Sequence, residues 1–382
     1  QTTTTIDHSF VSPPKPHSLV SLHGALQQQF SHTANRSNQL IQRLYDLGLI
    51  SYPRTPSQEL PPDHIHSPEQ HATLKNLSQV PELSTQAKRC RNQPTDIHLP
   101  LSDNHSHTTA HWGIIPTSRP PQLQLLTHRE RSAYLEICRR YLQALYPSAT
   151  LNQQTLQITI ILPTGKELKL SHQRTQIKES GWTAAFGHSI DEQPPIKLRG
   201  SQLKINQFTL IEKQTEPPPR HNDYTLLLAM EQAGKHSTGI GTPATRADTI
   251  ELLIKRGYIR RIGTSLQSTM RGASLIQQVP AWLRSPNTTS QWEGLLNQIA
   301  STENDKTAVE ISHQYISQQS KQTIQLLDRI QPLLTNANHQ PSNFPSEKMV
   351  RYAEILSRRK RVRLPSQYKT DWKICRDFIE TH

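Results

Sequence analysis

Apolar residues recur at helical spacing in two early stretches. In "SLVSLHGALQQQF" (18–30), Leu19, Leu22, Leu26 and Phe30 fall on one face. In "SNQLIQRLYDLGLIS" (37–51), Leu40, Ile41, Leu44, Tyr45 and Leu47 do the same, with Ser37 or Asn38 as the expected cap. A polar, histidine-bearing stretch with little periodicity follows. "LTHRERSAYLEICRRYLQALYP" (126–147) then predicts a helix stopped by Pro147. From residue 150 the pattern changes. "TLQITIILP", "KELKLSHQ" and "QLKINQFTLIEKQTEPPP" alternate or carry β-branched runs, so 150–216 reads as β-rich, while 1–17 reads as a strand or linker. Helical patterns return in "NDYTLLLAMEQAG", "PATRADTIELLIKRGYI", "TTSQWEGLLNQIAS" and "AVEISHQYISQQSKQTIQLLDRIQPLL". "NANHQPSNFP" (336–345) reads as a linker before a small basic helical unit.

Composition adds a partner class. The 382 residues carry 43 Lys and Arg against 30 Asp and Glu, a net charge of +13 that suits a polyanion such as nucleic acid. Hydrophobic residues make up only 33%, which implies much exposed surface. The three cysteines are far apart with no C-x-x-C pair, which excludes a cysteine zinc site and a disulfide framework and fits a reducing compartment. No apolar run of membrane-spanning length occurs, so no membrane partner is expected. The chain begins at Gln1, not Met, so a processed chain or, as the favoured expectation, a fragment lacking an N-terminal part is read.

Three stretches carry candidate chemistry. "GLISYPRTPSQELP" sets Tyr52 beside a stiffening Pro53 and the fork of Arg54. Alone, Tyr52 reads as a half-buried helix-end aromatic. A phenol with a pKa of about 10 needs a nearby cation to attack phosphate, and Arg54 supplies one with two donors in a plane. "AHWGIIPTSRPP" (110–121) offers His111, which donates to phosphate only if the fold ties it to Tyr52. "TGIGTPATRADTIELLIKRGYI" (238–259) opens a helix after a tight glycine turn, with Thr242 and Thr245 at its start, Arg246 as a second fork and Arg256 at its end. The free N–H groups of such a helix start suit an anion, although an ordinary capped helix has the same pattern. Gly257-Tyr258-Ile259 leads toward a wing of the winged-helix type.

"LYDLGLISYPRT", "AHWGIIPT" and "GIGTPATRADTIELLIKRGYI", in that order, resemble the signature blocks of type IA DNA topoisomerases. "PPKPHSLVSLHGALQQQF", "QTEPPPRHNDYTLLLAME" and "SQWEGLLNQIA" point to the topoisomerase III branch, and the tail is similar to those of plasmid and integrative-element enzymes. The resemblance implies an α+β, multi-lobed fold: 1–15 as the end of a first arch segment, 16–148 as a helical cap, and 149–216 as the β-rich arch. Residues 217–335 then form a helical, winged-helix-like base that binds single strands, 336–345 a linker, and 346–382 a basic module. It implies Tyr52 as the nucleophile that forms a 5′-phosphotyrosine, Arg54 and His111 as phosphate contacts, and Thr242, Thr245, Arg246 and Arg256 along a single-strand groove. Arg358, Arg359, Lys360 and Arg361, part of a basic run in the tail, add a backbone contact.

The resemblance also implies a bacterial, cytoplasmic enzyme that is ATP-independent, acts on single-stranded DNA, and relaxes or decatenates DNA. Its Mg2+ would sit on an N-terminal Toprim domain absent from these residues. Two departures from the family pattern stand out: Pro56, where a small polar or acidic residue is usual, and Trp112-Gly113, where His or Glu precedes Ala. The rival readings are a non-enzymatic single-stranded-DNA-binding remnant of a topoisomerase, and a tyrosine recombinase. The recombinase needs two arginines and a histidine ahead of a C-terminal tyrosine and leaves a 3′ link.

Overall fold

The computed structural model describes residues 2–92, 111–161, 164–187, 194, 209, 211–233, 239–302, 305–337, 345 and 347–382. Contacts divide the chain into two units, Gln1–Val279 with Leu283–Ser290, and Pro280–Trp282 with Gln291–His382. The boundary therefore falls inside 217–335, a segment expected to form one lobe. The fold is mixed α and β.

In the first unit a three-stranded antiparallel sheet has the order β1 (Thr2–Val11), β2 (Ala149–Ile161), β3 (Glu167–Glu179). Thr2 faces Ile158 and Val11 faces Ala149, so the whole helical cap is looped out between two neighbouring strands. The cap comprises α1 (Leu19–Phe30), α2 (Ala34–Asp46), α3 (Pro68–Leu77), α4 (Ser84–Asn92) and α5 (His128–Ala144). α1 starts at a reciprocal Ser18/Ser21 capping box and α5 at a Thr127/Glu130 one. Leu22, Leu26, Ile41 and Leu44 from the first two helices pack with Tyr134, Ile137, Tyr141 and Leu142 of α5 in one core. The polar stretch holds α3 and α4, whose weak periodicity hid them; Leu74, Leu77 and Ala87 reach the core while the other faces stay polar.

α2 differs from its expected span at both ends. Thr33, not Ser37 or Asn38, caps it by accepting from the Arg36 N–H. It stops at Asp46 because Gly48 takes the left-handed conformation (φ +67°) and the Leu49 N–H donates back to Leu44 O at 3.1 Å. Tyr52 thus lies beyond the helix, on extended chain.

The base of this unit holds α6 (Asp223–Glu231), α7 (Pro243–Lys255), the hairpin β4 (Ile259–Ile262) and β5 (Ser265–Ser268), and α8 (Met270–Gln278). Of the third expected β segment (202–219), 202–208 and 210 lie outside the described residues, and 209 and 211–219 are not strand. α9 (Ala281–Arg284) and α10 (Pro286–Ala300) span the boundary.

The second unit carries α11 (Asp305–Ala337), α12 (Glu347–Lys360) and α13 (Trp372–Thr381). The last two close a small core of their own from Ala353, Leu356, Cys375 and Phe378. α11 continues into the expected linker as far as Ala337; residues 338–344 lie outside the described ones.

Candidate active site and nucleic-acid interface

Exposure alternates after Ser51: Tyr52, Arg54 and Pro56 are exposed, Pro53 and Thr55 buried. That is the period of extended chain, so Tyr52 and Arg54 project from one face. Buried Thr55 anchors the segment. Its carbonyl accepts from the Leu19 N–H at 3.0 Å and its Oγ1 accepts from the Ser57 N–H at 3.0 Å.

The second stretch, 111–117, is laced to the tyrosine segment. The Ser51 N–H donates to Ile115 O at 2.9 Å, and the Ser51 hydroxyl donates to Gly113 O at 3.1 Å while accepting from the Ile115 N–H at 2.9 Å. The Thr117 hydroxyl donates to Gly48 O at 2.6 Å. On its other side the strip is held by Ile114 N–H to His17 O at 2.7 Å and Gly113 N–H to Glu59 O at 2.8 Å. The result puts the His111 ring 4.4 Å from the Tyr52 ring, tilted by 40°. His111 is thus tied to Tyr52, the condition its reading required.

Gly113 has a packing reason. A Cβ there would lie 3.0 Å from the Pro16 Cβ and 3.2 Å from the backbone of Gln58 and Glu59, so this chain leaves no easy room for a side chain. Nothing in the structure explains Pro56 or Trp112.

Sequence reasoning predicted the helix before the tyrosine but missed that it backs Tyr52 and Arg54. Tyr45 of α2 meets Tyr52 edge-on, centroids 5.8 Å apart at 80°, and Gln42 Oε1 accepts from Arg54 at 3.4 Å. Gln42 in turn donates to Asp46 Oδ1 at 2.8 Å, which turns its amide oxygen toward Arg54. The signal was the spacing of residues 42, 45 and 46 on one helical face. Also missed was His17, fully buried, whose ring bonds the Ser21 hydroxyl at 3.0 Å and Glu136 at 3.4 Å behind the His111 strip. Burial holds His17 below the usual histidine range, and the His17 hydrogen bond draws Glu136 below the usual carboxylate range.

The third stretch corrects one expectation. Arg246 does not line a groove as an open fork. It is 1% exposed, donates to Ile240 O at 3.1 Å and pairs with Glu231 at 3.1 Å. It thereby clasps the 239–241 loop against the end of α6, where Ile240 N–H donates to Met230 O at 2.7 Å. Gly239 makes that approach at φ +81°; a Cβ there would stand 2.5 Å from the carbonyl oxygens of Met230 and Glu231. Burial outweighs the arginine at Glu231 and pushes its carboxyl up.

Thr242 and Thr245 cap α7 mutually, with hydroxyl oxygens 3.1 Å apart and Thr242 N–H donating to Thr245 Oγ1 at 3.0 Å. Arg256, at the end of α7, is exposed. The hairpin follows the helix, and Arg271 lies over the Tyr258 ring at 5.3 Å.

In the second unit Arg358, Arg359, Lys360 and Arg361 are all exposed at the end of α12. Among the described residues no group of three or more His, Cys, Asp or Glu is placed to hold a metal ion. The described residues therefore do not fit a magnesium site. No helix among the described residues is long and apolar enough to cross a membrane.

A family model described as DNA topoisomerase matches residues 3–310. The DNA topoisomerase 3 of Haemophilus influenzae is 31% identical over 314 residues, covering 75% of this chain and 45% of that protein. The DNA topoisomerase 3 of Bacillus subtilis is 30% identical over 314 residues, with 75% and 42% covered. Full-length topoisomerase I from Thermotoga maritima shares the fold at a TM-score of 0.53 and 18% identity, over 82% of this chain and 51% of that one. The chain spans less than half the length of these two curated relatives.

Proposed function

The chain belongs to the DNA topoisomerase family, and from that premise we propose that it supplies the nucleophile and strand-binding portion of a type IA, topoisomerase III-like enzyme. The observation that carries the reading is the exposed face shared by Tyr52 and Arg54, with His111 against the Tyr52 ring at 4.4 Å. The Tyr52 phenolic oxygen attacks a backbone phosphorus of single-stranded DNA. The O–P bond to Tyr52 forms, the bond to the 3′ oxygen breaks, and the phenolic proton ends on that 3′ oxygen. A second strand passes through the break, and the 3′ hydroxyl reverses the transfer. One phosphoester replaces another at each step, so no external energy is consumed.

Arg54 neutralises the phosphate oxygens, with Gln42 orienting its guanidinium. His111 donates to the same group. Thr242, Thr245 and Arg256 face the strand upstream of the cut, with the buried Arg246 holding the loop before them, and the α12 cations add backbone contacts. A Toprim portion would hold the Mg2+, which would supply further charge stabilisation at the phosphate.

The test joins such a portion to this chain and follows adduct formation on single-stranded oligonucleotides. A magnesium-dependent 5′ adduct at Tyr52, abolished by Tyr52→Phe with binding retained, is the expected result. An adduct that persists in Tyr52→Phe, or one linked through a 3′ phosphate, overturns the assignment.

A further inference from the structure

In the small core of the second unit, α12 turns only one side inward: Ala353 and Leu356 pack with Cys375 and Phe378 of α13. On its opposite side Arg351, Tyr352, Ile355, Arg358 and Arg359 are all exposed, Tyr352 at 52% and Ile355 at 53%. At about 3.6 residues per turn these five fall within an arc of about 120°, with Ile355 near its middle, and run about 12 Å along the helix axis. The family model matches residues 3–310, so this face lies outside the matched part of the chain.

The two helices treat their charges differently. On α13, Arg376 lies over the Trp372 ring at 4.7 Å and pairs with Asp377 at 3.1 Å and Glu380 at 3.6 Å. Between the helices, Lys369 pairs with Glu354 at 3.1 Å, and Glu354 also accepts from the Tyr368 hydroxyl at 2.7 Å. Arg351, Arg358 and Arg359 of α12 make no ion pair among the described residues. Arg361 adds a further cation where α12 ends. It takes the left-handed conformation at φ +56°, and the Val362 N–H donates back to Ser357 O at 3.1 Å. Glycine meets that conformation without strain, yet a cation stands there.

An aromatic ring and an aliphatic side chain set among uncompensated arginines do not suit a second copy of the chain, because arginine would then meet arginine at close range. A single nucleic-acid strand answers every group at once. Its phosphates meet the guanidinium forks, an unpaired base stacks on the Tyr352 ring, and Ile355 packs against the same nucleotide. A duplex keeps its base faces stacked on one another, which leaves Tyr352 and Ile355 without a partner.

We infer that the outer face of α12 is a stacking platform for unpaired bases, with Tyr352 as its aromatic floor, and that the α12–α13 unit therefore takes single-stranded DNA in preference to duplex. The inference rests on the reading of the α12 cations as backbone contacts and adds to it a residue that meets bases and a strand class. It does not depend on the chemistry of Tyr52.

The experiment uses the full chain with its isoleucine methyl groups labelled for NMR. The Ile355 methyl lies on the platform and reports this face alone, whatever the first unit binds. Titration with a short oligothymidylate shifts that resonance upfield as a base settles over it. The same strand paired with oligoadenylate binds there about tenfold more weakly or worse. Tyr352→Ala weakens the single-strand affinity read at Ile355 by about tenfold, the loss of one stacked base, and Tyr352→Phe retains it. Arg358→Gln together with Arg359→Gln weakens binding of both DNAs. If that double variant weakens binding while Tyr352→Ala does not, and the duplex binds as tightly as the single strand, the platform is overturned and the backbone contact stands. If neither variant changes the Ile355 titration, both are overturned.

Discussion

Lowering the pH from 7 to 4.5 removes stability through His23. This ring is 3% exposed in α1; its Nε2 lies 2.9 Å from Asn38 Oδ1 and its Nδ1 is buried with no hydrogen-bond partner among the described residues. Burial, only partly offset by Asn38 and Asp223, pushes its pKa down to about 4. In the unfolded chain the ring titrates near about 6.5. Between those values the unfolded chain binds the proton and the folded one refuses it. Stability is therefore full above about 6.5 and falls as the pH drops toward 4, by about 3 kcal/mol in total and about 2 kcal/mol between pH 7 and pH 4.5. His17 shifts in the same direction; the raised Glu231 works in the opposite sense just above the carboxylate range. Comparing the protein with His23→Gln cancels both contributions. Urea unfolding at the two pH values should show the variant losing about 2 kcal/mol less than the parent. Equal losses in the two proteins, or a His23 resonance titrating near 6.5 in the folded state, refute the argument.

Arg54→Ala should slow adduct formation by the joined enzyme by about 10²–10³-fold with oligonucleotide affinity little changed, measured by single-turnover cleavage. Affinity for single strands should fall with salt at a slope of about −0.7 per phosphate contact in log–log form, and a flat response removes the electrostatic groove. Deleting residues 346–382 should weaken DNA binding while leaving the melting of the remainder in place, because α12 and α13 bury their apolar residues on each other; a large fall in melting temperature contradicts that. Gly239→Ala should cost about 2 kcal/mol or more in urea unfolding, since both the positive φ and the two carbonyl oxygens oppose a side chain.

Much of the helical framework was legible because its apolar residues obey one period: Leu19, Leu22 and Leu26 in α1, and the run through α5. Tyr52, Arg54 and His111 were legible as types suited to phosphate, and as blocks of a family. What sequence could not convey was pairing at a distance. The Ser51 to Gly113 and Ile115 bonds that deliver His111 to Tyr52 join segments with no local signal of each other. Arg246 was misjudged for a related reason: a guanidinium suited to phosphate is equally suited to Glu231 and a backbone carbonyl, and only the loop geometry decides. α3 and α4 escaped because each buries only a few residues, too few to set a period.

The pairing of β1 with β2 has a consequence for how the chain assembles. Val11 lies opposite Ala149, and every residue of the cap intervenes. A ribosome delivers β1 before β2, its strand partner among the described residues and the central strand of the sheet, which emerges after α5. Closing so long a loop from an unfolded cap is slow and entropically unfavourable, whereas a cap already folded brings its two ends together of itself. Through that interval β1 lacks β2, and the edge β2 will cover is open to pairing with another nascent chain. A cap variant that folds late, even one that is stable once formed, therefore lengthens the time in which two such chains can exchange strands.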